Sequence, residues 1–320
     1  MILPATEDNI ACAVKYLKRG ALVVLPTETV YGLGADATNG IAVAGIFAAK
    51  GRPHFNPLIV HVSDAAMARR YGVIDPLSWK LMEHFWPGPL TLVLPLRERS
   101  GIHPLVTAWL PTLAMRSPQG IFSGIIATLD VPIAAPSANH SGKISPTTAA
   151  AVADDLGAQV PLILDGGPCP VGVESTIVKV AGDEVFLLRP GGAAREEIEK
   201  AAGRPVKRPA RHTAVEAPGM LESHYAPHAA VRLEATEVHE GEALLAFGLR
   251  RAEGFEKAVA VLNLSPAGDV REAAARLFDC LRTLDRTDAT CIVVEPVPMK
   301  GLGEAINDRL ARAAASRTVK

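Results

Sequence analysis

Ala21-Leu22-Val23-Val24-Leu25-Pro26-Thr27-Glu28-Thr29-Val30-Tyr31-Gly32-Leu33-Gly34 sets a short apolar run against a polar, glycine-bearing segment. Ala21 to Leu25 has the unbroken hydrophobicity of a buried strand, and Pro26 ends it because proline brings no N–H to a ladder. The segment behind it reads as a loop at a strand end, where ligands collect in α/β folds. Its two threonine hydroxyls and two glycines can offer hydrogen bonds at close backbone approach. An ordinary turn with a capping threonine accounts for the same residues, and the segment alone does not choose between them.

On the amino-terminal side, Thr6 can cap a helix whose apolar positions Ile10, Ala13, Val14 and Leu17 share a face, with Gly20 as its stop. On the other side, apolar runs like the first recur at 58–62, 90–94, 131–134, 161–164, 177–180 and 185–188. Helical patterns lie between them, at Val43, Ile46, Phe47 and Lys50 and over 147–156. Several runs are too close in sequence for a crossover helix between each pair, so the spacing predicts a mixed sheet in an α/β domain. After Leu188 the texture changes. Arg189-Pro190-Gly191-Gly192 opens a helix ending near Gly203, and 204–218 is polar and broken by prolines. Strand patterns at 243–247, 258–264 and 290–294 then alternate with helical ones at 270–284 and 304–315. We expect three parts: 1–203, a linker over 204–229, and a smaller parallel-sheet, Rossmann-like domain over 230–320. No GxGxxG occurs there, so it is not read as a dinucleotide site.

A chain of 320 residues with 48% hydrophobic and 21% charged side chains has globular composition and length for two cores. Lys and Arg total 33 against 34 for Asp and Glu, so no global positive field exists to hold a nucleic-acid backbone, and direct RNA binding, left open, would need a local patch. Cys12, Cys169, Cys280 and Cys291 form no CxxC pair, and buried free thiols are the plain reading. The amino terminus lacks a cationic and apolar leader, and no apolar run reaches the roughly 20 residues that span a bilayer. The expectation is a soluble cytoplasmic protein with no membrane partner.

Several segments carry candidate chemistry. Lys50-Gly51-Arg52-Pro53 precedes Asn56-Pro57-Leu58, and Lys50 continues the Val43/Ile46/Phe47 face, which places it beside the core edge. Fixed cations at a cleft wall suit a polyphosphate, whereas a lysine that merely complements a helix C-terminus is the plainer reading. His61 lies inside an apolar strand, where a satisfied core histidine is the commoner case. Arg116 closes the apolar segment that starts at Thr112, so it either pairs with a buried carboxylate of the protein or receives one from a ligand. Ser137, Asn139 and Ser145 sit on a strand-end segment suited to anions, with Ser145 also a candidate helix cap. Glu174-Ser175-Thr176 and Leu188-Arg189-Pro190-Gly191 are individually weak. No Ser-His-Asp spacing, HExxH, Walker loop or paired cysteine cluster supports hydrolase, zinc or P-loop chemistry. Cations and hydroxyls remain, and they point to electrostatic positioning of an anionic substrate.

Taken together, the segments resemble the Sua5/YrdC/YciO family, in particular its longer, two-domain members. The matching pieces are PTETVYGLG (26–34), KGRP with NPLIVHV (50–62), PSAN with SG and SPT (136–147), ILDGG (163–167), ESTIV (174–178), LRPGG (188–192), and PGM with HYAP (218–227). The resemblance implies a nucleotidyltransferase that joins L-threonine, bicarbonate and ATP into threonylcarbamoyl-AMP and pyrophosphate for a tRNA-modifying transferase complex. It implies Lys50, Arg52 and Asn56 on the nucleotide phosphates, Lys50 and Arg52 being the catalytic pair. Thr112, Ser137, Asn139, Ser145, Arg189 and Tyr225 would complete the ATP site. Thr29, His61, Arg116 and Ser175 would hold threonine, with Thr27 and Thr176 as neighbours. Mg²⁺ is expected to arrive with ATP, and no metal-binding residue of the chain is expected. Tyr225 either caps the adenylate or docks the linker.

Overall fold

Thr6, Asn39, Asp64, Asp75, Thr148 and Asp269 each turn a side-chain oxygen onto a free N–H at the start of a helix, which fixes where six helices begin. The first runs over Glu7–Lys18 and buries Ala13, Val14 and Leu17 as the period requires. Helix Gly40–Lys50 stops at Gly51, whose φ of 58° is the left-handed conformation that closes a helix. The computed structural model describes residues 1–209, 216–218 and 225–315.

The described residues form two sheets. The strands of the first are β1 Ile2–Pro4, β2 Val23–Leu25, β3 Gly32–Asp36, β4 Ile59–His61, β5 Leu90–Pro95 and β6 Thr112–Arg116. They continue with β7 Ile133–Ala134, β8 Leu162–Asp165, β9 Thr176–Ala181, β10 Glu184–Arg189 and β11 Val206–Lys207. Their order is β1-β8-β2-β3-β7-β4-β6-β5-β9-β10-β11, and parallel and antiparallel pairs alternate irregularly, so the sheet is mixed. The second sheet contains β12 Ala230–Arg232, β13 Glu242–Ala246, β14 Val261–Asn263 and β15 Cys291–Val294 in the order β12-β15-β13-β14, all parallel. Helices Val270–Leu284 and Gly303–Ala314 supply Leu277, Leu281, Ile306 and Leu310 to its core.

Four details depart from the sequence reading. Gly32 to Gly34 are not loop but the start of β3, paired with β2, because the 26–31 turn is tight enough for the chain to return antiparallel. Ile2–Pro4, too short to show a period, pairs with β8. Ser145 does not cap the following helix; Thr148 does, accepting from the Ala151 N–H. Val206–Lys207, inside the segment read as linker, adds to the edge of the first sheet beside β10. Half of the remaining linker, including Met220 and Leu221-Glu222-Ser223-His224, lies outside the described residues.

The two parts meet tightly. Val30, Ile144 and Val173 of the first part join the apolar core of the second. At Gly172, with φ of 74°, an added Cβ would lie 2.3 Å from the Ala275 Cα of helix Val270–Leu284. Only glycine fits against that helix backbone.

Candidate active site

β4 and β6 run parallel with His61 opposite Arg116, so both side chains emerge at the same strand-end edge of the sheet. The 26–31 turn, the loop after β7 and the loop between β8 and β9 converge on that edge. They enclose a cleft of about 610 Å³, open solvent at its mouth included, lined by Thr29, Arg52, His61, Arg116, Ser137, Ser175, Arg189 and Tyr225 among others.

The Thr27 hydroxyl holds the turn: it donates to Val30 O at 2.7 Å and accepts from the N–H groups of Thr29 and Val30. The capping reading of this segment is therefore right for Thr27, while Thr29 is left to face the cleft. Arg116 donates from Nη1 to Thr29 Oγ1 at 2.9 Å and from Nε to Gly88 O at 3.0 Å. Its Nη2 lies 2.7 Å from Glu28 Oε1, a close ion pair that is out of line for a hydrogen bond. The Glu28 Oε2 accepts from Gln119 N. Of the two partners expected for Arg116, the protein's own carboxylate is the one present.

Arg52 and Arg189 differ from Arg116 in a way that matters. Arg52 donates to the carbonyls of Asn56 and Pro57. Arg189 donates to the Ser175 carbonyl and hydroxyl and to the Pro218 carbonyl. Both are buried, and among the described residues no carboxylate forms an ion pair with either. Burial, then the neighbouring Arg189, pushes Arg52 down to about 10; burial likewise lowers Arg189. Two buried guanidiniums held by carbonyls on one cleft wall form a place for an anion. Ser175 Oγ also meets Thr91 Oγ1 at 2.7 Å.

His61 is stacked on Phe122 at 5.0 Å, and its Nδ1 is buried without a hydrogen-bond partner. Burial, then Arg116, pushes its pKa down to about 3, so the ring is neutral near pH 7. A neutral ring orients a ligand by hydrogen bonding and brings no charge.

Four expected ATP residues stand behind the wall and do not line it. Lys50 donates to Ser137 O at 2.6 Å and to Asn139 O, so its ammonium braces the loop that carries Ser137. Burial, then Arg52, lowers Lys50 well below the usual lysine range. Asn139 Nδ2 donates to His140 O and Lys143 O, which fixes the same loop. Asn56 is buried, with Oδ1 unpartnered. Ser145 donates to Glu174 Oε1 at 2.5 Å. Thr112 also stands outside the lining: it opens β6, while Arg116 closes the strand into the cleft.

Tyr225 lines the cleft while stacking on Phe278 at 5.4 Å and lying under the Arg309 guanidinium at 5.1 Å. It therefore docks against the second part, where the docking reading expected the first, and also presents a face to the cleft.

Sequence reasoning missed Glu28 as the partner of Arg116, and missed Glu174 and Arg309. The Arg309 Nε donates to Glu174 Oε2 at 2.8 Å across the boundary between the two parts. Burial favours the neutral Glu174 carboxyl, but Arg309, Arg189 and the Ser145 hydroxyl outweigh it and hold the pKa near about 2. A signal did exist. Arg309 follows Ala305 and Ile306 by four and three residues, on the face that Leu310 and Ala313 also bury.

Residues 15–191 match the Sua5/YciO/YrdC family model, described as "Telomere recombination". Residues 193–315 match a model described as "Threonylcarbamoyl-AMP synthase, C-terminal domain". The chain is 39% identical to the threonylcarbamoyl-AMP synthase of Bacillus subtilis, covering 99% of this chain and 96% of that protein. It is 40% identical to the enzyme of the same name from Pyrococcus abyssi, covering 98% and 96%. The crystal structure of P. abyssi Sua5 complexed with L-threonine superposes with a TM-score of 0.88 at 38% identity, covering 98% of this chain and 97% of that one.

Proposed function

Since the chain belongs to the Sua5/YciO/YrdC family, we propose that it is a threonylcarbamoyl-AMP synthase, a nucleotidyltransferase that supplies threonylcarbamoyladenosine modification of tRNA. The observation that carries the reading is the pair of buried guanidiniums of Arg52 and Arg189, neither in a direct ion pair among the described residues, in one cleft with Arg116. Such a cleft fits a polyanionic nucleotide beside a carboxylate-bearing amino acid.

The reaction is the one that membership of the family implies. Threonine's amine nitrogen bonds to the carbon of bicarbonate with loss of water, giving a carbamate. A carbamate oxygen then attacks the α-phosphorus of ATP, the bond to the bridging oxygen of the β-phosphate breaks, and pyrophosphate departs with that electron pair. The attacking oxygen is already anionic, so no general base is assigned. Arg52 and Arg189 would hold the phosphates in line with the carbamate, which is catalysis by positioning and charge neutralisation. Ser137 would add a hydroxyl on the nucleotide side. Thr29, His61, Arg116 and Ser175 would hold threonine; L-threonine is the ligand of the P. abyssi structure. The roles of Lys50 and Asn139 become indirect, through the loop they brace.

Mg²⁺ would enter with the nucleotide, carried by phosphate oxygens and water. Among the described residues no group of three or more His, Cys, Asp or Glu forms a metal cage. The cleft's carboxylates Glu28 and Glu174 are committed to Arg116 and Arg309. When bound, the cation would offset charge on the α-phosphate and on the leaving pyrophosphate. The labile product would pass to a tRNA-modifying transferase complex. The four free cysteines support a reducing, cytoplasmic setting, and no helix among the described residues is long and apolar enough to cross a membrane.

Incubation with L-threonine, bicarbonate, Mg²⁺ and ATP labelled at the α-phosphate tests the proposal. Labelled threonylcarbamoyl-AMP should form only with all components present, and a folded protein that makes none refutes it.

A further inference from the structure

Arg309, on a helix of the second part, reaches the cleft wall through polar contacts, and it is fully buried. Its Nε donates to Glu174 Oε2 at 2.8 Å, and its Nη1 donates to Pro190 O at 2.9 Å and to Asp308 Oδ2 at 2.7 Å. Glu174 lines the cleft and accepts the Ser145 hydroxyl on its other oxygen. Pro190 directly follows Arg189, one of the two guanidiniums proposed to hold the nucleotide phosphates. A single guanidinium thus joins two wall segments, around Glu174 and Pro190, and reaches a third, at Ser145, through the Glu174 carboxylate.

The surrounding packing leaves little slack. Gly191 sits so close to the 174–176 backbone that an added Cβ would lie 2.3 Å from Glu174 O, and Gly192 N donates to that same carbonyl at 2.9 Å. Val173 is buried in the second core, and Gly172 touches the backbone of helix Val270–Leu284. The 171–176 segment is therefore clamped between the second part and the cleft.

We propose that Arg309 is a positioning residue for the reaction, through which the second part of the chain sets the geometry of the nucleotide half of the cleft. It touches no reacting atom. It acts by fixing Glu174 and the Pro190 carbonyl, and thereby Ser145 and Arg189. A side chain more than nine-tenths buried that carries ion pairs to Glu174 and Asp308 cannot relax independently of them. The assignment of the nucleotide half rests on the synthase reading.

The test compares Arg309→Lys, Arg309→Met, Glu174→Gln and the Arg309→Met/Glu174→Gln pair for product formation, thermal midpoint and hydrogen exchange. In Arg309→Met the KM for ATP should rise roughly 10- to 100-fold with the KM for threonine much less changed, and Arg309→Lys should recover part of the loss. The double variant should be no worse than the poorer single one. Additive losses, or equal effects on both substrates, overturn the proposal. Should Arg309→Met fail to fold, Arg309→Lys and Glu174→Gln carry the same comparison. If the wild-type protein makes no threonylcarbamoyl-AMP, the synthase reading fails by itself. Exchange at the 171–176 and 189–192 amides then decides: faster exchange in the Arg309 variants supports the brace, and unchanged exchange refutes it.

Discussion

Arg116 and Glu28 face each other across 2.7 Å in the wall of the cleft, with side chains only 4% and 5% exposed. On the proposed function, an incoming threonine carboxylate would meet a guanidinium that already has an anionic partner, and would share it instead of neutralising a bare cation. Among the described residues neither Arg52 nor Arg189 makes such a direct ion pair, and these are the groups proposed to draw in a polyanion. The two halves of the cleft thus differ in how closely their cations are compensated.

Breaking that pair from one side should be costly. Arg116→Ala leaves Glu28 buried and unpaired, which costs about 3–5 kcal/mol in comparable buried pairs. The double change Arg116→Met/Glu28→Gln removes both charges and should recover much of the loss. Urea denaturation measures both, and threonine binding should be absent in both. A single Arg116→Ala variant as stable as wild type would show that solvent reaches the pair.

Acid should act on this protein partly through His61. Its pKa is about 3 folded against 6.5 for the free side chain, so between those values the unfolded chain binds a proton that the folded chain refuses. The contribution to stability is complete above pH 6.5, declines as pH falls, and is fully lost near pH 3. His61→Gln cannot titrate, so its stability should fall less than that of wild type over this window. Glu174, with its pKa held near about 2 against 4.5, loses its contribution over a lower range in both proteins and cancels in the difference. Urea midpoints at pH 7, 5 and 4 give the two profiles, and parallel profiles would contradict the burial of a neutral ring.

How far the sequence could reach is clear from particular residues. Long amphipathic helices such as Val270–Leu284 were legible because apolar period and cap agree, and Asp269 caps that helix. β3 was not, because Gly32 and Gly34 hide strand character that pairing with β2 supplies. At the site, Arg52, Arg116 and Arg189 could be singled out as cations at segment ends. That Lys50 turns to Ser137 and Asn139 could not, since both carbonyls come from a loop nearly ninety residues away.

Lys50 should behave as a brace. Lys50→Ala leaves the carbonyls of Ser137 and Asn139 without their buried donor, at a cost of roughly 1–3 kcal/mol. Product formation should fall with it, because the Ser137 loop forms one wall. Lys50→Arg should rescue poorly, since a planar fork differs in shape from the point charge whose enclosed site is only 2% exposed. Normal turnover by Lys50→Ala would remove this loop from the mechanism.

Two glycines provide opposite expectations from one substitution. At Gly191 a methyl group would lie 2.3 Å from Glu174 O and 2.4 Å from the Ser175 carbonyl carbon, both backbone atoms that cannot swing aside. Gly191→Ala must push the turn off the 174–176 segment, at roughly 1–3 kcal/mol or more, and should displace Arg189 along with it. Gly124 lies inside helix Ile121–Leu129, and an added Cβ there would meet nothing within 4 Å. Gly124→Ala should therefore stabilise the protein by about 0.5–1 kcal/mol through helix propensity alone. Thermal midpoints should move in opposite directions, and only Gly191→Ala should weaken ATP binding. If Gly191→Ala matched wild type in both, the turn would have room to retreat, and the close packing of Pro190 and Glu174 would not hold the wall.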